Sequence, residues 1–315
     1  MVVRPVSILV NQKSITAQPF LKWAGGKRKL IQELQMRFPE GIGQRITKYA
    51  EPFIGGGALF FHLLQNSVLK EYLISDANPE LYIAYKTIQE SVEDVIDRLS
   101  KLEEQYIKSN SEKRADLFYK TRTSFNKGVK KIDLAKPNNA KRTAQIIFLN
   151  RTCFNGLFRV NSKGEFNVPH GRYVKPTINN FNNLRAVSGV LKKVEIRCGD
   201  YSSCTDWIDE KTLVYFDPPY RPLTTSSAFT SYSTSSFADK QQKELAKFCI
   251  KLKEKGASVI VSNSDPKNID TNDDFFEDLY EGFQFHRVLA TRAINCNGNK
   301  RGAISELIIT SFEVS

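Results

Sequence analysis

The sequence predicts an α/β fold in which one mostly parallel sheet is interrupted by a separate, largely helical module. Short β-forming runs alternate with helix-like stretches before residue 80 and again after residue 190. Between them, apolar residues follow a helical period. The basic excess also lies there, because residues 101–200 hold 21 Lys and Arg against 8 Asp and Glu, whereas the remainder holds 25 against 26.

Length and composition are those of a globular protein. The 315 residues leave room for an α/β domain and a smaller second one. No apolar run reaches the roughly 20 residues that span a bilayer, and the amino terminus lacks a signal-peptide pattern. The five cysteines are scattered and never spaced C-x-x-C. We therefore expect no membrane contact, no disulfide, no metal, and a reducing cytoplasm.

The first recognisable motif is Pro19–Lys27 (PFLKWAGGK), which precedes a helix-like run of apolar residues. A glycine pair before a helix exposes backbone N–H groups, and Lys27 stands where it can meet a carboxylate or a phosphate. The spacing is not that of a P-loop.

A strand, a tight turn and a helix follow in Ile46–Gly57, with the helix beginning near Ala58. Three successive glycines allow a ligand to approach the backbone, as in Rossmann-like units, although the G-x-G-x-x-G spacing fails. About twenty residues later a second strand, Tyr72–Asp76, ends in an acid, which is the position that commonly binds ribose hydroxyls. An ordinary α/β crossover is the alternative.

Three helical stretches make up the middle of the chain: 81–102, 117–125 and 144–149. Basic residues lie between them, notably Lys127, Lys130, Lys131, Lys136, Lys141 and Arg142. Such a concentration favours contact with a polyanion such as nucleic acid. A solvated helical face is the alternative, but it normally mixes charges of both signs.

The segment Asn150–Tyr173 has the pattern of a β-hairpin, with two β-rich arms flanking the turn Asn-Ser-Lys-Gly. Arginine, asparagine and aromatic residues are interleaved along it. A β-ribbon that enters a major groove needs this mixture, since Arg reads guanine, Asn reads adenine and apolar groups contact thymine methyls. A solvated edge hairpin is the alternative.

After residue 190 the α/β alternation resumes. Strands are predicted at 194–198, where Gly199 and Asp200 follow, and at 257–262, and Glu306–Thr310 closes the sheet. A helix is predicted over Asp239–Gly256. We expect a mobile loop over the site at 222–237 and another loop at 291–299.

The most informative stretch of this half is Leu213–Tyr220, a β-forming run that ends in Asp217, Pro218, Pro219 and Tyr220. The Asp217 carboxylate and the Pro218 carbonyl are suited to accept the two hydrogens of an exocyclic amine as it gains positive charge. Tyr220 offers a ring on which a flat base can stack. A plain surface turn is the alternative.

Taken together, the motifs FLKWAGGK (20–27), EPFIGGG (51–57) and DPPY (217–220), with the hairpin, resemble the Dam-type DNA adenine-N6 methyltransferases, the D12 class or alpha group of amino-methyltransferases. The resemblance covers residues from about 20 to 312. It implies a Rossmann-like class I methyltransferase sheet at 1–80 and 190–315. A helical DNA-recognition domain at 81–189 would be inserted in it, with its hairpin at 150–175.

The resemblance also implies a function and a set of site residues. The function is methyl transfer from S-adenosylmethionine to adenine N6 in duplex DNA by base flipping, with GATC as the target. The catalytic residues would be Asp217, Pro218, Pro219 and Tyr220. The cofactor would be bound by Trp23, Lys27, Phe53, Gly55, Asp76, Asp200, Tyr201 and Asp217. DNA would be contacted by Lys22, Arg151, Phe154, Asn155, Leu157, Arg159, Asn161, Pro169 and Arg172, of which Phe154 would wedge into the base stack and Arg151 and Asn161 would contact phosphates.

Two positions depart from the usual pattern, since Phe154 replaces a frequent tyrosine and His170 a common aromatic residue. Other functions therefore stay open: a related enzyme reading GATATC, an amino-methyltransferase for cytosine N4 or a protein amide, and a non-catalytic DNA-binding regulator. We expect a monomer, with pairing to a restriction endonuclease as an option.

Overall fold

A seven-stranded sheet forms the centre of the structure, a computed structural model that describes residues 16–66, 68–221, 237–290 and 304–314. Within these residues the sheet has the order β3-β2-β1-β4-β5-β7-β6. The strands are β1 (Lys48–Glu51), β2 (Glu71–Asp76), β3 (Val194–Cys198), β4 (Thr212–Phe216), β5 (Ser258–Ser264), β6 (Gln284–Ala290) and β7 (Ile304–Thr310).

The first five strands in this order run parallel, and β7 and β6 pair antiparallel at one edge. The mostly parallel sheet predicted from the sequence is thereby confirmed, whereas β6 was not predicted. Every residue of β4 and β5 is buried, as expected for strands covered on both faces. The chain order reverses between β1 and β4, and such a switch point is where open α/β sheets bind ligands.

Helices cover both faces of the sheet. They are α1 (Ile31–Gln35), α2 (Ala58–Asn66), α3 (Pro79–Lys108), α4 (Ser111–Lys127), α5 (Ala140–Thr152), α6 (Phe181–Leu191), α7 (Asp239–Glu254) and α8 (Phe275–Leu279). The predicted start of α2 at Ala58 is confirmed. Asparagine side chains cap four of the helices by accepting a backbone N–H, namely Asn78, Asn110, Asn139 and Asn180.

Residues 150–173 differ from the predicted pair of β arms. The segment begins inside α5, Phe154–Gly156 forms a 3-10 turn, and the arms are joined by isolated bridges such as Val160 to Phe166. Positive φ angles at Asn155 (54°) and Gly156 (64°) interrupt an extended chain, and Pro169 has no N–H to donate. The two arms are nevertheless antiparallel around the turn, since Asn167 N donates to Arg159 O at 3.0 Å.

Two predicted loops fall wholly or almost wholly outside the described residues. The loop expected at 222–237 lies outside the described residues except for Phe237, and the loop at 291–299 lies wholly outside them. One apolar cluster contains residues from both sides of the predicted domain boundaries, including Ile147, Phe148, Leu213 and Tyr215. The division into 1–80 with 190–315 and 81–189 stays a prediction.

In the described residues, no helix is both long and apolar enough to cross a membrane.

A buried ion pair fixes α5 to α3. Arg142 Nε donates to Glu80 Oε2 at 2.7 Å, and its Nη2 bonds the other carboxylate oxygen. Arg142 Nη1 also donates to the Phe125 carbonyl at 3.0 Å, at the end of α4. Both charged side chains are buried, so each depends on the other for compensation.

We expect Arg142→Ala to lower the free energy of unfolding by about 3–5 kcal/mol, because it leaves the Glu80 carboxylate buried without a partner. The measurement is urea denaturation. Arg185→Ala is the matched control, since Arg185 pairs with Glu93 at the surface and should change stability little. Equal effects of the two substitutions would contradict this account.

Candidate active site

Three acids lie at one edge of the sheet. Glu51 ends β1, Asp76 ends β2, and Asp217 directly follows β4. These strands are parallel neighbours, so their carboxyl ends meet. Asp76, predicted to bind the cofactor, and Asp217, predicted to be catalytic, therefore lie at the same edge of the sheet.

Lys27 lies at the centre of this edge. Its ammonium is 2.9 Å from Asp217 Oδ1 and donates to the Gly25 carbonyl at 2.8 Å. It is also 4.3 Å from the centroid of the Tyr220 ring. Burial raises the pKa of Asp217, and the charge of Lys27 opposes that shift. A cation thus occupies the space between a carboxylate and an aromatic face.

The Tyr220 ring is fixed from the opposite end. Its hydroxyl donates to Glu306 Oε2 at 2.8 Å, and Glu306 lies on β7. Burial raises the pKa of Tyr220 well above its usual value, so the hydroxyl stays a donor. Glu306 was not among the predicted site residues, because an acid inside a β-forming run carries no signal for a partner 86 residues away.

The double-proline turn is held by a short polar chain. Gln242 Nε2 donates to the Pro219 carbonyl at 3.1 Å, and Asn263 Nδ2 donates to Gln242 Oε1 at 3.0 Å. Gln242 and Asn263 are both buried. Within the described residues, the Pro218 carbonyl accepts no hydrogen bond. The turn therefore offers one free carbonyl next to Asp217.

The glycine turn after β1 is linked to Asp76. Gly55 adopts φ 45°, and its N–H donates to Asp76 Oδ2 at 3.1 Å. Burial raises the pKa of the partly exposed Asp76 to about 6. The hydrogen bonds from the backbone N–H groups of Asn78 and Gly55 act in the opposite direction and lower it. A β-carbon at Gly55 would lie 2.7 Å from Trp23 Cδ1, so glycine is required where Trp23 crosses the turn.

Aromatic rings stand beside these groups. The Phe53 ring lies 5.8 Å from that of Tyr201 and 5.7 Å from that of Phe237. Asp200, just before Tyr201, accepts from the backbone N–H of Ser202 at 2.8 Å. A close-approach glycine turn, an acid able to accept hydrogen bonds and an aromatic wall suit an adenosyl-type cofactor.

A second cluster forms where residues 150–173 meet the amino-terminal motif. The buried Asn150 accepts from Lys22 N at 2.7 Å and donates to the carbonyls of Lys22 and Gly156 at 2.9 and 2.8 Å. The Lys22 ammonium lies 5.6 Å from the Tyr173 ring. Asn150 therefore positions Lys22 at the base of the hairpin, a role that the sequence did not reveal.

The most exposed predicted DNA contacts lie at this base. Phe154 is 52% exposed, which is unusual for a phenylalanine. Its backbone N–H donates to the carbonyl of Pro169 at 2.9 Å, and the N–H of Asn155 donates to Tyr173 Oη at 3.2 Å. Arg172 is exposed and has φ 59°. Positive φ angles at non-glycine residues commonly mark functional sites.

Other predicted DNA contacts already have partners within the protein. Arg151 donates to the Phe20 carbonyl at 2.8 Å, and Asn161 Oδ1 accepts from the N–H groups of Lys163 and Glu165. Arg159 Nε donates to Asn167 Oδ1 at 2.7 Å, which orients its guanidinium. Leu157 is half-buried. The contacts of Arg151 and Asn161 with phosphates stay predictions.

The two clusters are joined by an aromatic stack. The rings of Trp23 and Phe158 lie 5.2 Å apart at an interplanar angle of 22°. Trp23 covers the glycine turn on its other side, and Phe158 continues to Phe166 in the hairpin at 5.7 Å. The cofactor-type turn and the hairpin thus share a packed contact.

Comparison with known proteins assigns this arrangement to a family. Residues 23–294 match the D12 class N6 adenine-specific DNA methyltransferases. The chain belongs to this family. The reaction is accordingly methyl transfer to adenine in DNA, and the mixed seven-stranded sheet agrees with the class I methyltransferase fold expected from the sequence motifs.

Relatives of this D12 methyltransferase extend over nearly its whole length. A type II methyltransferase, M.MjaIII, from Methanocaldococcus jannaschii is 46% identical over 297 residues, covering 94% of this chain and 99% of the relative. A DNA adenine methylase from Haemophilus influenzae is 34% identical, with 92% of each chain covered. The DNA adenine methylase of Escherichia coli K12 is 30% identical, covering 92% of this chain and 93% of its own.

One buried acid of the D12 site has a strongly displaced pKa. Burial raises the pKa of Glu51 to about 8, the hydrogen bond from Tyr49 opposes the shift, and the charge of Asp217 adds to it. Tyr49 Oη lies 2.7 Å from Glu51 Oε2. Glu51 is therefore mostly protonated at neutral pH, whereas Asp217 has the Lys27 ammonium beside it, which opposes the rise of its pKa.

We expect Glu51→Gln to be progressively more stable than the natural chain as the pH rises from about 5 to 9. The folded pKa exceeds the unfolded one, so the contribution of Glu51 is complete at acidic pH and is lost as the pH passes through 8. The difference in unfolding free energy should grow by a few kcal/mol. The measurement is urea denaturation of both proteins across this pH range. A difference in unfolding free energy that does not change with pH would show that the pKa of Glu51 is not raised in the folded state.

Proposed function

We propose that this methyltransferase acts on adenine N6 within GATC in duplex DNA, using S-adenosylmethionine and rotating the target base out of the helix. The observation that carries this proposal is the ammonium of Lys27 between Asp217 and the face of Tyr220. An adenine amine in the transition state has the same features as that ammonium: N–H donors, growing positive charge and a position against an aromatic ring.

Lys27 acts as a placeholder for the reacting amine. When adenine enters, its amino group donates to Asp217 and to the free carbonyl of Pro218, while its ring stacks on Tyr220. Lys27 then withdraws toward the Gly25 carbonyl, which it already contacts at 2.8 Å. Glu306 and Gln242 hold the ring and the turn in place, so the acceptors need little rearrangement.

The site supplies orientation and charge stabilisation. S-Adenosylmethionine, when bound, supplies an electrophilic methyl group. The residues suited to hold it are Trp23, Lys27, Phe53, Gly55, Asp76, Asp200, Tyr201 and Asp217. Asp76 is an acceptor for ribose hydroxyls in this arrangement, and the Gly55 turn admits close approach of the backbone. Asp217 would stabilise the positive charge on the amine as N6 forms its bond to the methyl carbon and the carbon–sulfur bond breaks. The leaving group would be a neutral thioether, and the surplus proton on N6 would then pass to water.

The hairpin and its base read the DNA. Phe154, exposed and fixed by backbone contacts, fills the space that the rotated base leaves. Base edges are read by Lys22, Asn155, Leu157, Arg159 and Pro169, and phosphates are contacted by Arg151 and Asn161, with Arg172 also at the interface. The identification of some relatives as DNA adenine methylases supports this assignment.

A related target and a companion enzyme are also compatible with the site. GATATC is the alternative target, because it contains the same GAT trinucleotide as GATC. The similarity to a type II methyltransferase is compatible with a companion restriction endonuclease. We propose a monomer acting in the cytoplasm.

We expect Asp217→Asn to lower the turnover number by about 10²–10³-fold, because it removes the charge that stabilises the amine. Binding of duplex DNA should remain close to that of the natural chain. Single-turnover methylation and a binding titration measure the two quantities separately. An unchanged turnover number would remove the role assigned to Asp217. Asp278→Asn, which alters an exposed acid on α8 that has no assigned role in the reaction or in cofactor binding, serves as the control.

We expect Arg159→Ala to cost about 1–3 kcal/mol of discrimination at one base pair of the target. The measurement is mapping of modified adenines in a plasmid from a host that lacks adenine methylation. The natural chain should modify GATC, and the variant should also modify sites with one altered base. Lys163→Ala, exposed at the hairpin turn, should keep the original pattern. Uniformly weaker modification of all sites by Arg159→Ala would mark it as a phosphate contact instead.

A further inference from the structure

The chain from the last residue of α4 to the first turn of α5 carries an unusual concentration of positive charge without acidic partners. We call residues 127–141 the lysine segment; it contains Lys127, Lys130, Lys131, Lys136 and Lys141. Its single acid is Asp133. All five lysines are exposed, and none forms an ion pair with another residue that the structure describes.

The start of this segment is attached to the DNA-reading hairpin. The side-chain amide of Asn126 donates to the Phe166 carbonyl at 3.0 Å and accepts from its N–H at 2.9 Å. The side chain of Val129 lies beside Gly164 in the hairpin turn, where an added β-carbon would be 3.7 Å from Val129 Cγ1. The lysines therefore begin next to the turn of the hairpin.

The end of the segment is attached to the helical core. Asn139 caps α5 by accepting from Arg142 N at 3.0 Å, and its own N–H donates to Thr87 Oγ1 at 2.9 Å. The Arg142 guanidinium lies under Gly128, where a β-carbon would be 2.5 Å from Nη1. The Arg142 guanidinium is already paired with Glu80, so the positive charge of this region that has no acidic partner in the described residues is carried by the lysines.

Three of these cations converge on one cleft. It is lined by residues from both ends of the segment, among them Gly128, Lys131, Asp133, Lys136, Lys141 and Asn139. Like charges held close together on a fixed backbone repel one another, and a bound polyanion relieves that repulsion. A soluble surface normally intersperses acids among its lysines, but this cleft contains Asp133 alone.

We propose that the lysine segment binds the phosphate backbone of the duplex outside the bases that the hairpin reads. The proposal rests on the proposed function, in which the hairpin enters the groove of the target site. Because Val129 and Gly164 are neighbours, a duplex engaged by the hairpin would lie close to the start of the lysine segment. Its lysines add affinity without sequence preference, since phosphate contacts position a protein and base contacts specify the site.

The test compares two triple variants on two duplexes. In one, Lys130, Lys131 and Lys136 are replaced by Gln; in the matched control, Lys243, Lys247 and Lys251 on α7 are replaced by Gln. Both sets are exposed, without ion pairs in the described residues, and lose the same charge. One duplex ends close to the target site, and the other extends it by about 10 base pairs, one helical turn, on each side. Affinity is measured across a range of salt concentrations.

We expect the lysine-segment variant to bind the long duplex with an affinity close to that for the short one. The slope of log affinity against log salt on the long duplex should become shallower by about 1 for each lysine that contacts a phosphate. The control variant should retain the preference of the natural chain for the long duplex. Thermal unfolding checks that both variants are folded.

Two results would overturn the proposal: an undiminished preference of the lysine-segment variant for the long duplex, or an equal loss of affinity on both duplexes. The natural chain is assayed for methylation of the same duplexes with and without GATC. If the natural chain methylates none of these duplexes, the proposed target is wrong. The dependence of binding on duplex length would still test the role of the lysine segment.

Discussion

The buried contact between Lys27 and Asp217 is the interaction on which the active edge of the sheet depends. Asp217, Glu51 and Glu306 all lie close to the Tyr220 turn, where negative charges near one another are costly. Each acid has a different environment. Lys27 pairs with Asp217, burial raises the pKa of Glu51 to about 8, and the partly exposed Glu306 accepts a hydrogen bond from the Tyr220 hydroxyl. Asp217 is the acid of the three that has an ammonium as its partner.

Packed contacts link the sheet edge around Asp217 to the hairpin, and under the proposed function they would connect DNA recognition with the reacting group. Asn150 holds the backbone of Lys22, five residues before Lys27 in the chain. Trp23, between them in the chain, packs on the glycine turn and stacks on Phe158. The amino-terminal motif therefore touches cofactor turn, catalytic acid and hairpin at once. These three contacts give a structural reason for the close succession of polar, aromatic and glycine residues in the amino-terminal motif.

Much of the fold, and the position of two acids at one edge of the sheet, could be predicted because the sequence signals are local. Strands that end in Asp76 and Asp217, and prolines that stop a strand, are visible within a few residues of sequence. The assignment of individual site residues came from family resemblance. Contacts between distant residues could not be read in this way. Asn150 meets Lys22 across 128 residues and Glu306 meets Tyr220 across 86, and neither carries a local pattern. The irregular hairpin escaped prediction because β-forming neighbours hide the positive φ of Asn155.

The direct measurement is a crystal structure with a GATC duplex and a non-reactive cofactor analogue. In it, we expect adenine N6 within hydrogen-bonding distance of Asp217 and the Pro218 carbonyl, its ring on Tyr220, and Lys27 displaced from Asp217. A target adenine still stacked in the duplex, with Lys27 on Asp217 while the cofactor analogue is bound, would contradict the placeholder role of Lys27 and the assigned mechanism.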